Sequence, residues 1–307
     1  MKKVGLFLKK HWVKIISLII IAILVVYVPI VALKKAGDYE IYKEPEIDTK
    51  IYTIWHIETF EGGGKSRLQL LNSVAREIES QAPGVLIMVK KVEASKLVDE
   101  LKNSKPDIFS FGYGVGKTIL PVLTPFNTSY DLLDKMVESG TFNGNIYALP
   151  YMVSGYAMFS HGGEFNNFYC GQNEFINPSA IYNGLSLTPY CTESQYNAYK
   201  HFIYDKKSKL LGSARDVFRV SNLNNVGRLS ASITPVSEYT DLLQYLALTK
   251  SDDITKKFAD LIFSDARQQE LSSYNLFTGK NYKIYSSGIY SDMENALHEA
   301  TIPNAFI

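Results

Sequence analysis

Residues 50–92 read KIYTIWHIETFEGGGKSRLQLLNSVAREIESQAPGVLIMVKKV, and the hydrophobic period changes twice within them. Lys50 to Ile57 is a run of β-branched and aromatic residues that stops at a glycine-rich turn, the pattern of a buried strand. From Ser66 to Gln81 the residues Leu68, Leu71, Val74, Ala75 and Ile78 recur at helical spacing, and Pro83-Gly84 ends the helix they predict. Val85 to Val92 predicts a second strand. A strand, a glycine turn, a helix and a strand in this order form a β-α-β unit, whose strands lie parallel with a right-handed crossover.

Working outward toward the C-terminus, Ala94 to Asn103 predicts a short second helix and Pro106 to Phe111 a third strand that breaks at GYGVG. Two successive units of this kind imply a parallel sheet flanked by helices. Asn143 to Ser160 then offers a turn, a short strand, a break at Pro150 and another strand, with no helix between. Residues 161–212 are rich in Asn, Gly, Ser and Tyr and carry little periodicity, apart from a helix over Glu193 to Lys206. Asp241 to Lys250 is apolar, and helices follow at Asp252–Phe263, Ser264–Tyr274 and Ser291–Ala300. Helices that return after an irregular middle predict a first lobe made of residues 51–154 and 236–307, with a reduced second lobe at 155–235. No internal repeat or low-complexity tract appears.

Toward the N-terminus, Ile15 to Leu33 is an uncharged run of 19 residues, enough at helical rise to span about 28 Å of hydrocarbon. Lys2, Lys3, Lys9, Lys10 and Lys14 precede it and only Lys34 and Lys35 follow directly, so the charge bias predicts a cytoplasmic N-terminus and an extracellular remainder. Residues 1–35 are thus a cytoplasmic stub and transmembrane anchor, and the polar residues 36–50 a tether. A cleaved secretory signal is the competing reading. Its apolar region is normally shorter, and VALKKAG is a poor cleavage site. No cysteine follows the run to accept a lipid.

Composition narrows the function further. The formal net charge is +1, from 32 basic and 31 acidic residues, so the chain lacks the basic field that nucleic-acid binding requires. Its two cysteines, Cys170 and Cys191, sit in one segment of an exported chain, where an oxidising exterior would let them pair; two free buried thiols are the alternative. Two glycine-lysine turns invite comparison with phosphate loops. A Walker loop needs a glycine five residues before the second glycine; for Gly64-Lys65-Ser66 that place holds Thr59, and for Gly116-Lys117-Thr118 it holds Phe111. Gly62, Gly63 and Gly64 nevertheless open a helix, whose free N–H groups suit an anionic or hydroxyl-bearing ligand, although glycines also serve simply to make the turn. His11 lies beside the apolar run, and His56, His161, His201 and His298 have no metal-ligand spacing. No G-x-S-x-G elbow is present. The expectation is a protein without enzymatic activity, metal or cofactor.

Several segments together resemble the extracellular solute-binding proteins of ABC importers, most closely the carbohydrate-type members with the type II periplasmic-binding-protein fold. IYTIWHIETFEGGGKSRLQLLNSVAREIESQAPGVLIMV is similar to that family's first strand, helix and second strand, KPDIFSFGYG to its third strand, and GNIYALPYMVSGYAMFS to its first crossover. SARDVFRVS, TPVSEYTDLLQYLALTK and SDARQQELSSYNLFTG resemble the return crossover and late helices. The resemblance implies an α/β, two-lobed clamp behind one N-terminal transmembrane helix, monomeric, that binds a small polar solute such as a sugar for an ABC permease in the membrane. It points to ligand contacts from Trp55, His56, Phe60 and Glu61, with Gly63 of the glycine turn, after the first strand. Ser110, Phe111, Gly112 and Tyr113 follow the third strand, Tyr151 and Tyr156 flank the first crossover, and Glu238, Tyr239 and Asp241 the return. Aromatic faces would stack on a sugar ring and carboxylates would accept its hydroxyl hydrogens. A tethered sensory or scaffolding domain that kept the fold and binds a protein is the alternative function.

Overall fold

The computed structural model describes residues 2–37, 49–59, 64–163, 167–172 and 190–307, and the chain divides into two compact units, Met1–Asp48 and Thr49–Ile307. The first unit contains one helix, α1 (Lys2–Gly37), with Pro29 inside it. Its stretch His11–Val31 covers 21 residues at a mean hydropathy of 2.8. That is long and apolar enough to cross a membrane.

The second unit is built on two five-stranded sheets. The first uses β1 (Lys50–Ile57), β2 (Val85–Val92), β3 (Ile108–Gly112), β4 (Ala148–Val153) and a strand supplied from far along the chain, Leu243–Leu248. The second uses β5 (Tyr156–Ser160), β6 (Asn167–Gln172), β7 (Tyr190–Ser194), β8 (Ser208–Ser213) and β9 (Ser232–Pro235). With Leu243–Leu248 as β10, the strand orders are β2-β1-β3-β10-β4 and β9-β5-β8-β6-β7.

In the first sheet β1 runs parallel to β2 and to β3, as a β-α-β unit requires, whereas β10 is antiparallel to both β3 and β4. The helix between β1 and β2, α2 (Arg67–Gln81), buries Leu70, Leu71, Val74, Ala75 and Ile78. Leu68 lies at the margin of that face and Leu70 takes its place. Side chains of this size each contribute about 1.5–3 kcal/mol when withdrawn from water. Every residue of β3, β4 and β10 is buried. Pro150 sits inside β4 and does not end it, because β4 is an edge strand that can spare one N–H, and the facing strand is irregular between Gln244 and Tyr245.

The segment SARDVFRVS forms a helix of the second sheet's layer, and the return connection lies in TPVSEYTDLLQYLALTK. Helix α3 (Ala214–Asn225) starts at Ser213, whose side chain and that of Asp216 form a reciprocal capping box. Before it, α4 (Gln195–Tyr204) packs on this sheet through Phe202, whose ring centroid lies 6.1 Å from that of Phe159. Cys170, in β6, is disulfide-bonded; the side chain of Cys191 lies outside the described residues.

Two connections join the sheets: Ser154-Gly155 between β4 and β5, and residues 236–242 between β9 and β10. They are stitched together by Ser154 N–H to Leu242 O at 2.7 Å, Val236 N–H to Tyr156 O at 2.9 Å and the Thr240 hydroxyl to Ser154 O at 2.8 Å. A third segment joins them, since Thr240 N–H donates to Thr301 O at 3.0 Å and Thr301 N–H to Glu238 O at 3.1 Å. Thr301 directly follows α5 (Ile289–Glu299) and Ala300, and α5 packs closely on position 155, where a Cβ would stand 3.1 Å from Leu297 Cδ2.

Candidate functional site

The carboxyl ends of β1 and β3 open toward the two connections, the position where parallel sheets place ligands. Four of the residues that the resemblance singled out meet there around one carboxylate. Asp241 is 2% exposed. The Tyr156 hydroxyl, from the first residue of β5, donates to its Oδ1 at 2.7 Å, and the Tyr239 hydroxyl lies 3.4 Å from its Oδ2. Tyr113, half-buried after β3, completes the group: burial and then the Asp241 charge push its hydroxyl above the ordinary tyrosine range. The same causes push Tyr239 higher still. The carboxylate is thus bonded by residues of the second sheet's first strand and the return connection, and its charge reaches Tyr113 in the first sheet's loop. A tyrosine hydroxyl that donates to Asp241 keeps its oxygen lone pairs, so it can accept a hydrogen from a solute hydroxyl. Ser154, in the first connection, adds a buried hydroxyl with no hydrogen-bond partner.

A second polar group lies under α2. His56 Nδ1 is 2.8 Å from Ser110 Oγ, which is 2.9 Å from the Tyr151 hydroxyl and accepts from Gln244 Nε2 at 2.9 Å. Gln244 also donates to Ile57 O at 3.1 Å, and its Oε1 faces Arg67 Nη1 at 3.4 Å. Arg67, 1% exposed, pairs with Glu58 at 2.6 Å, and Lys91 reaches the other Glu58 oxygen at 2.5 Å. Burial alone would raise the Glu58 carboxyl, but Arg67 and Lys91 outweigh it and hold it down to about 2. Burial, followed by the Arg67 charge, lowers the His56 imidazole to about 3. The ring is therefore neutral.

Two more of the singled-out residues serve packing. Trp55 is buried edge-on against Phe109 at 5.9 Å with Lys90 Nζ 5.4 Å above its ring, and Phe111 stacks on Tyr245 at 5.4 Å. Their side chains point to the sheet face opposite His56 and Ser110, because successive strand residues alternate. Glu238 is exposed. Phe60, Glu61 and Gly63 lie outside the described residues. On the near side of that stretch, Gly64 N–H donates to Tyr274 O at 2.7 Å, and Lys65 Nζ reaches Ser273 at 3.1 Å. Gly112 passes so close to Thr59 that a Cβ there would fall 1.8 Å from its Oγ1. Gln244 and Arg67 escaped the residue-level expectations. Their signal was a polar side chain inside the apolar run LLQYLAL and a cation in the first turn of a helix whose inner face is apolar, both of which demand buried partners.

No family model matches the sequence, and no curated protein matches it. Solved structures do match in fold. The GacH receptor of Streptomyces glaucescens, solved without ligand and with acarbose, shares 13% identity at a TM-score of 0.58, over 83% of this chain and 87% of that one. Thiaminase I from Bacillus thiaminolyticus shares 11% identity at 0.57, over 83% and 95% of the chains. A two-component-system protein that mediates signal transduction shares 14% at 0.54, over 80% and 93%. Most of the other similar structures are maltose, maltodextrin or related carbohydrate-binding proteins. The fold is the two-lobed α/β fold of these sugar-binding proteins, with the antiparallel β10 lying between parallel strands β3 and β4 of the first sheet.

Proposed function

We propose that the part of the chain after residue 35 lies outside the cell, binds a small polar solute of the carbohydrate class between its two lobes, and delivers it to an ABC-type permease. The observation that carries this reading is the buried Asp241 with its ring of Tyr113, Tyr156 and Tyr239 at the junction of the two sheets. Carboxylate and tyrosine oxygens suit hydroxyl groups, and tyrosine faces suit the apolar side of a sugar ring. Similarity of fold to carbohydrate-binding proteins supports the solute class. Helix α1 serves as an uncleaved anchor, the bound protein acts as a monomer, and binding energy favours the closed arrangement without covalent chemistry. Calorimetry of the full chain in detergent against maltose, maltotriose and acarbose tests this. Heat that disappears in Asp241→Ala supports it; no heat from any of the three removes the carbohydrate class.

A second reading is a membrane-tethered sensory domain whose fold binds a protein. The similarity to a signal-transduction protein and the apolar N-terminal helix favour it over a purely metabolic role. Crosslinking in native membranes separates the two: recovery of a permease supports import, and recovery of a histidine kinase supports sensing.

A further inference from the structure

The hydrogen atoms of the network under α2 can be counted, because every hydrogen bond of Gln244, Ser110, Tyr151 and His56 is accounted for by atoms already named. Ile57 O only accepts, so the group 3.1 Å from it must be the Gln244 amide nitrogen, which leaves Oε1 for Arg67. The second amide hydrogen then goes to Ser110 Oγ at 2.9 Å. Ser110 keeps one hydrogen and one lone pair for Tyr151 and His56. If His56 carried its proton on Nδ1, Ser110 would have to accept from it and donate to Tyr151, and the Tyr151 hydroxyl hydrogen, fully buried, would have no acceptor. Nδ1–H would also confront the Gln244 amide hydrogens at 3.4 Å. If the proton is on Nε2, Tyr151 donates to Ser110, Ser110 donates to Nδ1, and every hydrogen of those three hydroxyl and amide groups is used. That ordering leaves one donor over: Nε2–H, on a side chain that is 1% exposed and without a partner.

We propose that Tyr151, Ser110 and His56 form a directionally ordered hydrogen-bond chain that fixes His56 in the Nε2–H form, and that this N–H is a donor for an oxygen of the bound solute. The second half rests on the carbohydrate reading above. His56 is the penultimate residue of β1, two residues before Glu58, and with Ser110 and Gln244 it shares the sheet side on which α2 begins. Its Nε2–H complements the Asp241 group, which offers acceptors, with a donor. Gln244, in β10, orders the chain and stands three residues after Asp241, which lies in the connection leading into that strand. Burial and the adjacent Arg67 keep the ring neutral, so the donor persists across the physiological range.

Long-range nitrogen–proton spectra of the full chain in detergent, labelled with nitrogen-15 histidine and assigned with His56→Asn, test the chain without any ligand. The expected wild-type spectrum has a protonated Nε2 and a bare Nδ1 for His56; the reverse pattern overturns the proposal. Tyr151→Phe should draw the two nitrogen shifts together, since the hydrogen that orders the chain is gone. Adding maltotriose should then move the Nε2–H resonance, and His56→Asn should weaken calorimetric affinity about tenfold, the effect of one lost hydrogen bond. Maltotriose binding that leaves Nε2–H unmoved overturns the donor role. If the wild type binds neither maltotriose nor acarbose, the carbohydrate reading fails and the donor role fails with it, while the ligand-free spectrum still decides the ordered chain.

Discussion

At the scale of single residues, the protein spends its polar groups inside the first sheet with unusual freedom. Arg67 is buried and holds Glu58, which is 35% exposed, and Gln244 together. Replacing Arg67 by Met would leave the half-buried carboxylate with Lys91 alone and the Gln244 amide oxygen unmatched. The expected loss is about 2 kcal/mol, below the full penalty for a broken buried pair because water still reaches Glu58, and it is measured as a lowered midpoint in urea. Acid should act on the same group. Both Glu58 and His56 have depressed folded values, about 2 and about 3, against ordinary values of 4.5 and 6.5. For each, the unfolded chain binds the proton more readily, so the stabilisation is complete above the ordinary value and drains away as pH falls toward the folded one. Stability should therefore begin to fall below pH 6.5 through His56, by about 2 kcal/mol down to pH 5, and fall further below 4.5 through Glu58. In His56→Asn the decline should start only below pH 4.5; denaturation midpoints across pH 4 to 7 that match the wild type would contradict this assignment.

At the scale of elements, close approaches decide where strands meet. Gly112 ends β3 against Thr59, just past β1. Gly112→Ala should cost about 1–3 kcal/mol as an overpacked contact, and Thr59→Ala in the same chain should recover part of it, a coupling that thermal melts of the three variants reveal. Ser213→Ala should remove the cap of α3 and cost about 1 kcal/mol. Elements such as β1 and β2 were legible in the sequence to the residue, since their runs are bounded by glycine and proline turns. Others were hidden for physical reasons. In β10 every side chain is buried, so LQYLAL shows no alternation and reads only as apolar. The strands of the second sheet pass through Asn-, Ser- and Tyr-rich sequence whose order comes from pairing with distant strands. The helix α3 announced itself only through its Ser213–Asp216 capping pair. Of the residues the resemblance singled out, Tyr156 and Tyr239 bond to Asp241, whose charge reaches Tyr113, whereas Trp55 and Phe111 point to the sheet face opposite His56 and Ser110 and pack against Phe109 and Tyr245.

For the molecule as a whole, the two sheets join at a band in which the two connections and the segment after α5 hydrogen-bond side by side. A band of this kind resists sliding but allows bending about its length, and Asp241 stands on it, bonded to Tyr156 of the second sheet and to Tyr239 of the connection. A solute that bonds to Tyr113 on the first side and Tyr156 on the second would favour arrangements in which these approach, and its differential affinity sets how far the population shifts. Asp241→Asn keeps the shape of the side chain and its oxygen but removes the charge that polarises both hydroxyls. The expected result is a maltotriose affinity lower by about tenfold, from charge-assisted bonds reduced to neutral ones. Small-angle scattering should show the wild type contracting at saturating sugar and the variant contracting equally once its weaker affinity is matched by concentration. Tyr156→Phe, which removes the bond from the second side, should bind and yet contract less. If that variant contracts fully, Asp241 grips the solute without linking the two sheets, and bending must be driven from elsewhere in the band.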